Sequence, residues 1–337
     1  MLALLIGLLA FSCEENGLMD EDVASEDQML IGEEGNLLPS LNTENAYIYY
    51  YRNDDGQAYT FKFNNDGSYQ STPAFNRKGS TTWDIVFPYK VAGKSFIYYY
   101  RNDDGQAYGF ELNADGTYGT TPVFSRKGST NWDIIFPYTV GGNSYIYYYR
   151  NDDGRALAFK FNNDGSYNST PVLDRTGSTN WDVIFPYTVG NDSYIYYYRN
   201  DDGRAYGFKF NSTGNYNSTP VFSRQGSTNW DVIFPYTVGN DSYIYYYRND
   251  DGQAYGFEFN STGNYNSSPV FSRQGSTTWD VIFPYTVGND SYIYYYRNDD
   301  GQAYGFEFNS TGNYNSTPVF SRQGSTTWDI IFGFTVQ

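Results

Sequence analysis

Residues 291–301 read SYIYYYRNDDG, and this stretch decides the fold. The aromatic and β-branched run Ser291–Arg297 has the composition of a strand. Asn298, Asp299, Asp300 and Gly301 follow, and Asp-Gly between two such runs is a hairpin turn in which glycine supplies a positive φ. Working outward, Gln302–Phe308 reads as a second strand and residues 309–312 as the next turn. Asn313–Ser321 reads as a third strand. After a break at Gly324, Ser325 and Thr326, Trp328–Val336 reads as a fourth. No stretch carries apolar residues at helical spacing. The unit is therefore four short antiparallel strands.

This unit of 49 residues recurs six times. Its strand-end arginine falls at Arg52, Arg101, Arg150, Arg199, Arg248 and Arg297. Its tryptophan falls at Trp83, Trp132, Trp181, Trp230, Trp279 and Trp328. Four strands in a repeat of this length match a propeller blade, whereas a β-helix coil is much shorter. The two ends are complementary. The repeats open at Ala46, Tyr47 and Ile48 with no Trp strand before them, and close on Trp328–Val336 with no Tyr-Ile-Tyr strand after it. The expected fold is all-β, a six-bladed β-propeller of four-stranded antiparallel blades. Pairing of the C-terminal strand with the N-terminal strands closes it, which removes exposed edges. The Trp strand is placed nearest the axis.

Tyr292, Tyr294 and Tyr296 share one face of their strand, while Ile293 and Tyr295 lie on the other. A sheet with one wet face would alternate apolar with polar. Both faces must be covered, which stacked blades achieve. The large Tyr304, Phe306 and Phe308 oppose the small Ala303 and Gly305, so neighbouring sheets can interdigitate.

Residues 1–12 are an apolar run too short to span a membrane, and read as a signal peptide. The run ends at Cys13, the only cysteine. Leu9–Cys13 resembles a bacterial lipoprotein signal, which implies lipidation of Cys13. The following Glu14 and Glu15 resemble the acidic export signal of surface lipoproteins in Bacteroidota-type bacteria. An unlipidated secretory signal with an incidental cysteine is the alternative. Residues 13–45 hold ten acids and no Lys or Arg, and read as a flexible tether. The propeller then covers residues 46–337. Removing those ten acids from the total charge of −17 leaves −7 on the ring. Mild acidity argues against nucleic acid and against electrostatic membrane binding. Membrane attachment is expected only through the N-terminal lipid, at the surface of the outer membrane, with the protein a monomer. A single cysteine means the ring holds without disulfides.

The chain has no histidine. That excludes Ser-His-Asp catalysis, His-ligated zinc and His general-base chemistry. No phosphate-binding or dinucleotide fingerprint is present. Nearly equal blades offer no obvious unique constellation, so the expectation is a protein that is not an enzyme and has no cofactor. Calcium at the Asn-Asp-Asp-Gly turns, such as Asp54-Asp55 and Asp103-Asp104, is weighed against plain hairpin turns, which the short loop favours. The Arg52 series is expected to pair with a turn Asp or with the Asp after Trp. A second series, Arg77, Arg126, Arg175, Arg224, Arg273 and Arg322, precedes a Gly-Ser-Thr-like loop and the tryptophan. An arginine, an aromatic plane and small hydroxyls suit a hydroxylated ligand, so this series and the six tryptophans are the candidate ligand-binding residues. Core packing is the competing role for the tryptophans. The position occupied by Lys62, Glu111, Lys160, Lys209, Glu258 and Glu307 changes sign, which marks it as solvent-facing.

The run Trp-Asp-Val-Ile-Phe-Pro-Tyr-Thr-Val, then Ser-Tyr-Ile-Tyr-Tyr-Tyr, then Ala-Tyr-Gly-Phe-Glu-Phe, resembles a tandem repeat of bacterial secreted proteins. It is more distantly similar to lectin propellers of the tachylectin and fungal fucose-lectin kinds. That resemblance implies a non-catalytic, multivalent carbohydrate-binding surface lipoprotein with glycans as partners. A protein-interaction or adhesion scaffold binding a surface protein is the alternative, and a glycan-active enzyme a third reading.

Overall fold

The computed structural model describes residues 44–337; the expected signal peptide, Cys13 and nearly all of the tether lie outside the described residues. Twenty-four strands form six antiparallel four-stranded sheets, one for each blade. Blade 2 shows the pattern. From the axis outward it has Ile85–Val91, Lys94–Arg101, Gln106–Glu111 and Phe124–Lys127. Blade 1 is built from both chain ends. Its inner strand, Ile330–Val336, pairs antiparallel with Asn45–Arg52 in a register that sets Phe332 opposite Tyr49 and Phe334 opposite Tyr47. The expected closure is found.

Inner strands of neighbouring blades face one another around the axis, so the Trp-led strand is innermost. The tryptophan itself stands two residues ahead of the strand. Inner strands carry Pro88, Pro137, Pro186, Pro235 and Pro284 near their midpoints. Proline cannot donate to a ladder, so at an inner edge it blocks pairing across the hub at no loss to the blade. Blade 1 has Gly333 at this place, and a Cβ there would sit 3.0 Å from Tyr285 Cβ. The outer strands are shorter than the sequence suggests. The segment expected as Asn313–Ser321 is a strand only over Phe320–Gln323. Tyr314 makes a lone bridge to Phe308, and Pro318, lacking an N–H, delays the ladder.

Tyrosines on both faces of each second strand join the blades. Tyr99 Oη bonds Tyr49 Oη of blade 1 at 2.7 Å, and Tyr98 Oη bonds Tyr148 Oη of blade 3 at 2.9 Å. The series continues as Tyr147–Tyr197, Tyr196–Tyr246 and Tyr245–Tyr295. It closes from blade 6 to blade 1 as Tyr50–Tyr294, at 2.8 Å. An unpartnered buried hydroxyl would cost about 1–3 kcal/mol. Partnered, each phenol contributes its ring to packing and fixes the register of its neighbour.

One junction departs from the repeat in a compensated way. In blade 2 the inner-strand Tyr89 donates its hydroxyl to Gly165 O of the next blade at 2.8 Å, and Tyr285 of blade 6 does the same to Gly67 O. Blade 1 has Phe334 there, and Thr60 Oγ1 donates to Gly116 O at 3.2 Å instead. The Thr60 position is glycine in four other blades. A Cβ on Gly109 would lie 2.7 Å from Tyr89 Oη. Phe334→Tyr should therefore press its hydroxyl onto Thr60 and cost about 1–3 kcal/mol by overpacking. Thr60→Gly should cost about 1 kcal/mol by leaving Gly116 O without its donor. The double variant recreates the blade 2 arrangement and should unfold in urea near the wild-type midpoint. Losses that simply add would contradict the compensation.

Candidate functional site

The lower face, where inner strands begin, carries the Asn-Asp-Asp-Gly turns. Arg52 makes a bidentate pair with Asp55 at 3.0 and 2.8 Å, and its guanidinium lies 5.1 Å from the Trp328 ring. The Arg52 hydrogen bond, set against slight desolvation, brings the Asp55 carboxyl down to about 2. Asp329, after the tryptophan, accepts from Asn53 N at 2.7 Å. The expected turn pairing is found, and the second carboxylate of each turn is occupied by arginine. Among the described residues no group of three His, Cys, Asp or Glu could hold a metal ion. The tryptophans are buried. Trp83 packs on Tyr99 and Tyr108 of its own blade, with Arg101 over it at 5.1 Å.

The Arg77 series stands at blade junctions. Arg77 donates to Tyr118 O of blade 2 at 3.0 Å and covers the Tyr118 ring at 4.9 Å. Arg175 does likewise with Tyr216 O at 2.6 Å, and Arg126, Arg224, Arg273 and Arg322 with Tyr167, Tyr265, Tyr314 and Tyr69. The structure brings the two candidate series together. Arg224 and Trp230 line a junction cavity of about 310 Å³ with Ser227, and Arg175 and Trp181 one of about 240 Å³ with Ser178. In both, the guanidinium is already held by a backbone carbonyl and a phenol ring of the next blade.

A larger cavity of about 510 Å³ lies on the axis at the upper face, where inner strands end. All six inner strands line it. Thr139, Thr188, Thr237, Thr286 and Thr335 stand at equivalent places, and Lys90 takes the sixth. Among the described residues Lys90 is the only charged one in the lining. Its ammonium donates to Glu44 Oε2 at 2.6 Å and to Thr335 Oγ1 at 2.7 Å. Thr335 Oγ1 donates in turn to Glu44 Oε2 at 2.6 Å. Burial pushes the Glu44 carboxyl up, but the bonds from Lys90 and Thr335 and the Lys90 charge outweigh it, so the group lies below its ordinary value. Serines of the following blades brace this corner: Ser95 Oγ donates to Thr335 O at 2.9 Å and Ser144 Oγ to Lys90 O at 2.8 Å.

Sequence reading missed this trio. Its signal was one lysine in a column of threonines, next to the last acid of a segment read as tether. The sign-changing position is buried in no blade, in keeping with the expectation that it faces solvent. In two blades an opposite charge meets it, Glu111 with Lys94 at 2.9 Å and Lys209 with Asp192 at 2.7 Å, whereas Glu258 and Glu307 stand near Asp241 and Asp290.

No protein-family model matches the chain, and no curated protein does. Solved structures share its fold. The periplasmic gluconolactonase of Pseudomonas aeruginosa aligns with a TM-score of 0.55 at 11% identity, covering 88% of this chain and 100% of that one. A protein of Bacteroides fragilis provisionally named 6-phosphogluconolactonase aligns at 0.54 and 11% identity, covering 88% and 99%. One so named from Bacteroides uniformis aligns at 0.51 and 13%, covering 87% and 100%. At these identities the likeness shows the fold. The expectation of a non-catalytic, lectin-like protein is corrected to this extent: the fold neighbours named here carry the names of hydrolytic enzymes, not of lectins. The expectation of no enzyme rested on the absence of histidine and on sixfold sameness; Lys90, with Glu44 bonded to it, breaks that sameness at one point.

Proposed function

We propose that the protein is a hydrolase of sugar lactones or kindred cyclic esters, acting at the upper mouth of the axial cavity. The observation that carries this is that Lys90 and Thr335, on a ring whose other described lining residues are neutral, both bond the carboxylate of Glu44 beside the mouth. The fold shared with named lactonases supports it. Glu44, ionised at neutral pH, can take a proton from an attacking hydroxyl, whether Thr335 or water. Lys90 holds that carboxylate in place and offers positive charge to the oxyanion that forms as the acyl carbon becomes tetrahedral. The threonine ring supplies hydroxyls for a polyhydroxylated ring, with Pro and Tyr side chains as its floor.

Proton release from D-glucono-1,5-lactone, followed by pH-stat, tests the proposal. Lys90→Thr restores the residue found at the other five places, so the ring is preserved. Turnover should fall by about 10²-fold, the effect of losing one charge-stabilising donor. Equal turnover by both proteins would overturn the assignment. The cellular address belongs to the same proposal: lipid on Cys13 would hold the ring outside the cell, and palmitate labelling of the intact protein against Cys13→Ser decides it.

A further inference from the structure

We infer that the axial site takes uncharged lactones and rejects phosphorylated ones; this rests on the hydrolase reading above. A phosphate substituent brings about two negative charges and three strong acceptors. Proteins hold such groups with uncommitted Arg or Lys side chains or with a helix N-terminus. The described residues contain no helix. Among the described lining residues Lys90 is the only cation, and Glu44 at 2.6 Å ties it to the reacting corner, so it is not free to hold a distant phosphate. The arginines lie elsewhere, the Arg52 series on turn carboxylates, the Arg77 series on junction carbonyls, and Arg155 and Arg204 on Asp174 and Asp202.

The remaining lysines of the upper face do not change this. Lys94 and Lys209 are paired with Glu111 and Asp192. Lys62 and Lys160 end third strands, two strands out from the axis. Against them stand Asp241 with Glu258 and Asp290 with Glu307, which flank Tyr243 and Tyr292 on the same face. The rim carries both signs, but with Lys94 and Lys209 paired the excess at Asp241, Glu258, Asp290 and Glu307 is negative, and an excess of one sign around a cleft repels like charge. A neutral lactone approaches without penalty. On hydrolysis, water adds across the acyl C–O bond, the ring oxygen leaves as a hydroxyl, and the acid formed gives up a proton. The resulting carboxylate is repelled by the same rim, which favours release of product.

The experiment compares kcat/KM for D-glucono-1,5-lactone and its 6-phosphate, with wild type and Glu44→Gln, at low and high salt. Wild type should prefer the unphosphorylated lactone by about ten-fold or more at low salt, and added salt should narrow the gap by screening. Glu44→Gln frees the Lys90 charge, so it should narrow the gap as well, even as its overall rate falls. Equal or faster turnover of the phosphorylated lactone by wild type overturns the inference and leaves the hydrolase reading standing. Turnover of neither lactone overturns both.

Discussion

Taken above about pH 10, the protein should unfold in one steep step, with the buried tyrosine pairs of its second strands ionising only as the fold is lost. Each second strand holds two adjacent phenols, Tyr49 and Tyr50 in blade 1 through Tyr294 and Tyr295 in blade 6. Burial first, and neighbouring phenols second, hold both well above the ordinary tyrosine value in every blade. A group raised on folding contributes stability that is complete below its unfolded pKa, about 10, and is lost as pH rises toward the folded value. Each such phenol removes about 1.4 kcal/mol per pH unit in that window. Two in each of six blades remove about 16 kcal/mol over one unit, as much as the whole stability of an ordinary domain. The phenolate absorbance of these pairs and far-UV circular dichroism should therefore change together. Smooth titration of these pairs with the sheet signal intact would contradict the buried belt.

Removing residues 328–337 should abolish the monomeric ring. The truncation takes the inner strand from blade 1 and exposes the ladder edge of Asn45–Arg52. It also deletes the stacks of Tyr49 on Phe332 at 4.9 Å and of Tyr47 on Phe334 at 5.5 Å. An unpaired edge rich in aromatic residues invites pairing with another chain. The truncated protein is expected to associate in size-exclusion chromatography and to lose its cooperative melt, and a synthetic 328–337 peptide added in trans should restore both. A monomer melting with wild type would show that the ring does not depend on its clasp.

The ring could be read from the chain because its period is strict and its two ends are complementary. Strand directions followed from the Asp-Gly turns, and burial of both faces from tyrosine at odd and even places. The outer strands were less legible: Phe320–Gln323 is shorter than its aromatic surroundings suggest, because Pro318 lies within the run. The site was nearly invisible. Glu44, Lys90 and Thr335 lie in three distant parts of the sequence and meet only when Ile330–Val336 closes blade 1. Arg77 and Trp83 drew attention by adjacency, but adjacency does not show whether a guanidinium is already engaged. Here the carbonyl and ring of Tyr118 engage it.

The most direct test is a crystal structure of the full ring with a non-hydrolysable lactam analogue of a sugar lactone. One molecule of the analogue should be found per ring, at the upper mouth of the axial cavity beside Lys90 and Thr335. Density at the blade junctions, beside Arg224 and Trp230 and repeated around the ring, with the axial mouth empty, would contradict the account.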